Sequence, residues 1–139
     1  GLTLFCQLPC GRLLTYPDTR IEVVDSEYGT RNQITYLRSA FLPKATEKAW
    51  PRSSLWGGLA FQNAVQATAA SLLRVALRQC DAGGLPVILH VHDEIVVEST
   101  PAQLGQHRER LAGIMNNGPE WAAGLPLQAE VKTLDRFGK

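Results

Sequence analysis

The 139-residue sequence predicts an α+β fold, with a mostly antiparallel sheet packed on a long helix and a C-terminal helix. Short apolar runs separated by turn residues fill the first third of the chain and indicate neighbouring strands. A long helical pattern follows, and after it come two more apolar runs and a second helical pattern. Because strands and helices do not alternate one by one, we expect antiparallel pairing.

The N-terminal third is expected to supply four short strands, at residues 4–8, 13–16, 21–24 and 34–37. Pro9-Cys10-Gly11-Arg12 separates the first two runs, and its Pro and Gly favour a hairpin turn. We expect Pro17-Asp18 to end the second strand and the polar residues 25–32 to interrupt the sheet.

A linker rich in Lys, Arg and Pro is predicted at residues 43–54. It holds Lys44, Lys48 and Arg52, with Trp50 inside it and Trp56 just after it. Such a mixture can grip a nucleic-acid backbone, and it also occurs in solvated loops pinned by one tryptophan. Both interpretations stay open, and the pattern assigns no role to this linker.

The strongest helical signal begins after Gly57-Gly58 and runs from about Leu59 to Asp81. Six residues at helical spacing form the expected buried stripe: Val65, Ala69, Leu72, Leu73, Ala76 and Cys80. Asn63 and Gln66 fall on a different face, where composition alone favours solvent over a ligand. The glycines after Asp81 are typical of a helix end.

Two β-branched runs, Val87–Val91 and Ile95–Glu98, flank the polar centre His92-Asp93-Glu94. Runs of this kind indicate strands buried on at least one face, where ionised carboxylates are costly unless a positive group lies beside them. One continuous strand would place Asp93 on an apolar face, whereas a hairpin would place the three polar residues at its tip. We favour the hairpin, and an exposed turn without chemistry is the alternative.

The last third predicts a helix and one more strand. Thr100 fits an N-cap, and Pro101 fits the first helical position. The expected inward face comprises Leu104, Leu111, Ile114 and Met115, and Asn117-Gly118 ends the helix. After a short turn at residues 119–121, strict alternation over Leu127–Lys132 predicts a half-buried strand.

Composition excludes few classes of protein. No apolar stretch approaches the ~20 residues of a membrane span. The net charge of +1 gives no overall positive potential of the kind that indicates a nucleic-acid partner. Three cysteines without zinc-type pairing suggest reduced thiols in a cytoplasmic protein. The sequence opens directly on a strand-like run, so we expect it to be a piece of a longer protein.

Carboxylates at a hairpin tip suit Mg²⁺, which commonly joins one or two carboxylates with substrate phosphates. Asp93 and Glu94 are therefore candidate site residues. A nitrogen-rich alternative uses His90 and His92 with Asp93, and His107 as a further ligand, for zinc in a metal-dependent hydrolase. These three are all the histidines of the chain, so no further histidine can complete the set.

His92-Asp93-Glu94 between apolar strands resembles the third motif of family A DNA polymerases, the group that includes bacterial DNA polymerase I and many phage enzymes. Four further segments are similar to that family in the same order: Leu8-Pro9-Cys10-Gly11-Arg12, Trp50 with Trp56-Gly57-Gly58-Leu59, Asn63-Ala64-Val65-Gln66-Ala67, and Pro119–Leu127 with the closing Arg136–Lys139. The resemblance covers nearly the whole chain.

The resemblance implies a DNA-directed DNA polymerase that acts in replication or repair on primer–template DNA and deoxynucleoside triphosphates. Asp93 would bind the catalytic Mg²⁺ (or Mn²⁺) in the palm domain, with Glu94 beside it in a supporting role. His92 would lie near the primer 3′ end. Asn63 and Gln66 would contact the duplex through its minor groove, whose acceptors are common to all base pairs.

The chain departs from the family by what it lacks. No first motif with a second metal-binding aspartate precedes Asp93, and no Arg-x-x-x-Lys fingers helix is present. Gln62 and Ala70-Ser71 also differ from the usual phage-type residues. Residues 1–139 are therefore expected to be the C-terminal part of the palm, inactive alone. The hydrolase, and a non-catalytic DNA-binding remnant, are the alternatives.

Overall fold

The computed structural model describes residues 1–27, 29–39 and 50–137. The chain divides into two compact units, Gly1–Ala67 and Thr68–Lys139. Its elements in order are β1 (Leu2–Gln7), β2 (Leu13–Ser26), β3 (Gly29–Leu37), β4 (Arg52–Leu55), α1 (Gly57–Ala82), β5 (Val87–Val91), β6 (Glu94–Val97), α2 (Leu104–Asn116) and a 3₁₀ turn at Glu120–Ala122. Every described strand pair is antiparallel, so the predicted α+β class is confirmed.

The first unit contains a four-stranded sheet in the order β1-β2-β3-β4. Strand β2 is 14 residues long and pairs with both β1 and β3. The expectations that Pro17-Asp18 ends this strand and that residues 25–32 interrupt the sheet are wrong. The pairing shifts between Leu2–Thr19 and Leu4–Tyr16, which leaves one extra residue on β2. This bulge accommodates a proline that lacks an N–H, and Asp18 takes a left-handed φ of 47° there.

Strand β4 overlaps the last three residues of the predicted linker, and its Arg52 is bound within the first unit. The Arg52 guanidinium forms an ion pair with Asp18 and also donates to Thr35 Oγ1 at 3.0 Å. Partial burial opposes ionisation of Asp18, but Arg20 and Arg52 together lower the pKa of its carboxyl below the usual value. Arg52 therefore anchors β4 to the bulge. Lys44 and Lys48 lie outside the described residues.

The core of the first unit is built on two tyrosines. Tyr16 and Tyr36 pack edge to face with ring centroids 5.1 Å apart, and Leu55 completes the buried cluster. Leu59 and Ala60 at the start of α1 pack against it. An edge-to-face pair adds about 0.5–1.5 kcal/mol to the stabilisation from burial alone. The cluster therefore fixes the first turns of α1 against the sheet.

Helix α1 matches the predicted helix to within two residues at each end, but its buried stripe is only partly as expected. Ala76 and Cys80 are buried as predicted, and Ser71 is buried in addition. Val65 is 50% exposed and Ala69 is exposed as well. The helix packs on the first unit's core through Leu59 and Ala60. Successive residues are about 100° apart around the helix axis, so Val65 lies on a different face from Leu59 and Ala60.

The second unit is organised around Cys80, Leu85 and Leu111. Cys80 is fully buried, and this burial raises the pKa of its thiol. Six partly buried residues from the hairpin, α2 and the C-terminal segment pack against the cluster: Val87, Ile95, Val97, Ile114, Met115 and Val131. The predicted inward residues of α2 are confirmed, except that Leu104 is 37% exposed.

Two predictions in the second unit are wrong, the start of one helix and the presence of one strand. Helix α2 begins at Leu104 with Gln103 as its N-cap. Thr100 instead opens a turn before the helix, in which its carbonyl accepts the Gln103 N–H at 3.0 Å. Residues 127–132 alternate in burial as expected but pair with no strand in the described structure. Asn116 holds this segment instead, since its Oδ1 accepts the Ala129 N–H at 2.7 Å. Among the described residues, no helix is long and apolar enough to cross a membrane.

Candidate functional site

The predicted hairpin at the polar centre is confirmed. Strands β5 and β6 pair antiparallel, and the pair closest to the turn is Val91 with Glu94. His92 and Asp93 are thus the two residues of the turn, and Glu94 is the first residue of β6. The structure therefore brings the three polar residues together at one tip, as the hairpin interpretation requires.

His92 has a φ of 53°, in the left-handed region. Two-residue hairpin loops need such values, and glycine or asparagine normally supplies them. Histidine adopts this region more readily than most non-glycine residues, so the turn forms with modest strain. A residue that is not the usual choice for the turn therefore occupies its first position, with Asp93 directly after it.

The hairpin is less buried than the sequence led us to expect. Val87 and Val97 at its base, and Ile95 next to the pair that closes the turn, pack against the core of the second unit. Toward the tip, Val91 is 37% exposed, and the side chains of His92, Asp93 and Glu94 are exposed. This exposure is what the hairpin interpretation requires, so the cost of burying the carboxylates does not arise at the tip. Both carboxylates are therefore accessible to a ligand.

The chemistry of the tip is that of two adjacent carboxylates with an imidazole next to them. Ionised Asp and Glu only accept hydrogen bonds, and their oxygens are the ligands that Mg²⁺ prefers. Within the described ranges, no three side chains of the His, Cys, Asp and Glu types converge to hold a metal ion. His90, His92 and Asp93 do not form such a group, so the zinc alternative gains no geometric support.

Asn63 and Gln66 occupy neighbouring positions on the first half of α1, within the first unit. Gln66 is exposed, so its amide is accessible to a ligand. Asn63 is half-buried, and its Nδ2 donates a hydrogen bond to the Tyr16 hydroxyl at 3.3 Å. The two amides that the sequence singled out are therefore presented differently. One is held by a neighbouring strand, and the other extends into solvent.

The sequence did not predict the contacts that Tyr16 and Arg12 make with this helix. The sequence pattern places Tyr16 in a strand and indicates nothing more, yet its hydroxyl accepts a hydrogen bond from Asn63. Arg12 follows the turn at Gly11, whose φ is 82°, and its Nη2 donates to the Ala67 carbonyl of α1. A lone arginine after a glycine turn signals no partner 55 residues away. Only the folded sheet brings both side chains to the helix.

A search of curated proteins finds a relative that covers almost all of the chain. Over 136 residues, 98% of its length, the chain is 34% identical to a protein of Bacillus phage SP02 named DNA polymerase. The chain is related to a phage DNA polymerase. It spans about a fifth of that relative, since the matched residues are 20% of the phage protein's length. No family model matches the chain, and no solved structure matches it.

Proposed function

We propose that this chain is the C-terminal palm segment of a phage-type family A DNA polymerase, a cytoplasmic enzyme of DNA replication or repair. The observation that carries the proposal is the hairpin tip, where exposed Asp93 and Glu94 follow each other in a segment that resembles the third motif of that family. The 34% identity to a phage protein named DNA polymerase, over 98% of the chain, supports the relation to a DNA polymerase. The parent enzyme would join a primer 3′-hydroxyl to the α-phosphate of a deoxynucleotide and release pyrophosphate.

Asp93 is the proposed metal ligand, and Glu94 supports it from the first position of β6. Their oxygen donors fit Mg²⁺, and Mn²⁺ takes the same ligand type. When bound, the metal lowers the pKa of the attacking hydroxyl and neutralises charge on the phosphate. The chain's own contribution is to hold a carboxylate on a short, exposed turn that solvent and substrate can reach.

The duplex is the proposed partner of the first half of α1. Gln66, which is exposed, and Asn63 carry amides that can donate to the acceptors common to every base pair in the minor groove. Contacts of this kind check the shape of a base pair without reading its sequence. His92, at the turn beside Asp93, is the proposed neighbour of the primer 3′ end.

The coding sequence upstream of Gly1 tests the proposal. A polymerase needs a second aspartate for its metals and cationic side chains for the incoming triphosphate, and the proposal predicts that both are encoded there in one reading frame. An aspartate motif and a helix with the Arg-x-x-x-Lys spacing would support it. A stop codon directly upstream, or a reading frame with neither feature, would contradict it.

A further inference from the structure

The Tyr16 hydroxyl occupies a fixed position beside a proposed DNA-contacting amide. The Tyr16 side chain is 5% exposed and packs at 89° against the ring of Tyr36, so its ring has little freedom to move. A buried phenol needs a hydrogen-bond partner, and Asn63 Nδ2 supplies one at 3.3 Å. The rigid core of the first unit therefore determines where this amide lies.

The hydrogen bond constrains Asn63 without using up its polar groups. An asparagine amide carries two N–H donors and one acceptor oxygen, and the contact with Tyr16 employs one donor. The second donor and the oxygen remain for another partner. A free asparagine samples several rotamers, and ordering it on binding costs conformational entropy. Holding the amide in advance removes part of that cost.

The same stretch of helix is held at a second point. Arg12 Nη2 donates to the Ala67 carbonyl, one helical turn beyond Asn63. Both contacts come from the β1–β2 hairpin or its turn, and Gln66 lies between them in the helix. Arg12 binds the backbone and so fixes the helix itself. Tyr16 binds a side chain, which makes it the contact that sets the orientation of a functional group.

We propose that Tyr16 is a positioning residue, whose hydroxyl pre-orients the Asn63 amide toward the primer–template duplex. The inference rests on the proposed polymerase function and deepens it. Tyr16 itself does not touch DNA; it acts through Asn63. Without the hydroxyl, Asn63 would still be present but would have to be ordered by the duplex at each binding event, so that binding weakens and mismatched primer ends are less well distinguished.

Tyr16→Phe tests this inference because it removes one oxygen atom and keeps the ring. Its matched control is Tyr36→Phe, which removes the hydroxyl of the other ring of the pair and leaves the Tyr16–Asn63 bond in place. In ¹⁵N spectra of the 139-residue chain, we expect Tyr16→Phe to shift the Asn63 side-chain amide signals and Tyr36→Phe to leave them unchanged. Thermal unfolding of both variants checks that each retains its fold.

The complete polymerase supplies the functional measurement. We expect Tyr16→Phe to raise the Kd for primer–template about 3- to 10-fold, which is the cost of ordering one side chain on binding. Tyr16→Phe should add nothing to Asn63→Ala, because the hydroxyl acts only through that amide. Equal effects of Tyr16→Phe and Tyr36→Phe, or full additivity with Asn63→Ala, would overturn the inference. A wild-type enzyme that binds no primer–template would instead refute the proposed function.

Discussion

Asp93→Asn in the complete polymerase is expected to lower the rate of nucleotide incorporation by at least about 10²-fold, with primer–template binding largely unchanged. The substitution keeps the size of the side chain and removes its negative charge, which is what a metal ligand supplies at this position. Groups that stabilise charge in a transition state each contribute about 10²–10³-fold. Single-turnover incorporation in Mg²⁺ and fluorescence anisotropy with labelled DNA separate the two effects.

Asp135→Asn provides the matched control for this experiment. Asp135 is also an exposed aspartate of the second unit, but it lies near the C-terminus and outside the hairpin. We expect this variant to incorporate nucleotides at the wild-type rate. If Asp93→Asn also incorporated at a near-normal rate, Asp93 would not be a metal ligand, and the assignment of the hairpin would fail.

Leu111→Ala is expected to destabilise the second unit by about 2–5 kcal/mol. Leu111 is 9% exposed and belongs to the buried cluster with Cys80 and Leu85, so truncation both removes buried apolar atoms and leaves a cavity. The chain has three tryptophans, of which Trp121 lies in the second unit. With Trp50 and Trp56 replaced by Phe, urea unfolding followed by Trp121 fluorescence reports on this unit.

The control for Leu111 lies on the same helix. Leu104 opens α2 and is 37% exposed, so Leu104→Ala removes the same atoms from a site that water already reaches. We expect it to cost much less than Leu111→Ala. If the two substitutions cost the same, the core of the second unit would not be centred on the packing of Leu111 against Cys80 and Leu85.

Local patterns predicted the helices and the hairpin well. The apolar periodicity over residues 59–81 identified α1, and the two β-branched runs around His92-Asp93-Glu94 identified β5 and β6. These signals depend on neighbours within a few positions, which is why periodicity detects them. The turn at His92 and Asp93 could be inferred even without glycine, because a continuous strand would have placed Asp93 on an apolar face.

The errors arose where distant residues decide the outcome. Pro17-Asp18 has the composition of a strand end, but pairing with β1 on one side and β3 on the other carries β2 through it as a bulge. Residues 127–132 alternate like a strand, yet the described structure offers them Asn116 in place of a partner strand. The exposure of Val65 depends on which face of α1 meets the sheet. None of these three features can be predicted from a few consecutive residues of the sequence.

The candidate site was likewise predicted only in part from the sequence. Its residue types and their placement at a hairpin tip followed from sequence, whereas the contact between Tyr16 and Asn63 joins residues 47 positions apart. Hydrogen bonds across such separations depend on the packing of the sheet on the helix. A tyrosine in an apolar strand carries no local sign that its hydroxyl will orient an amide.

Primer extension by the complete polypeptide that contains this chain tests the central claim most directly. The measurement uses one labelled primer on four templates that differ only in the first unpaired base, with each deoxynucleotide supplied separately in Mg²⁺. We predict that only the complementary nucleotide is added on each template, and that the 139-residue chain alone adds none. Incorporation that ignores the template, no incorporation by the complete polypeptide, or extension by the chain alone would contradict it.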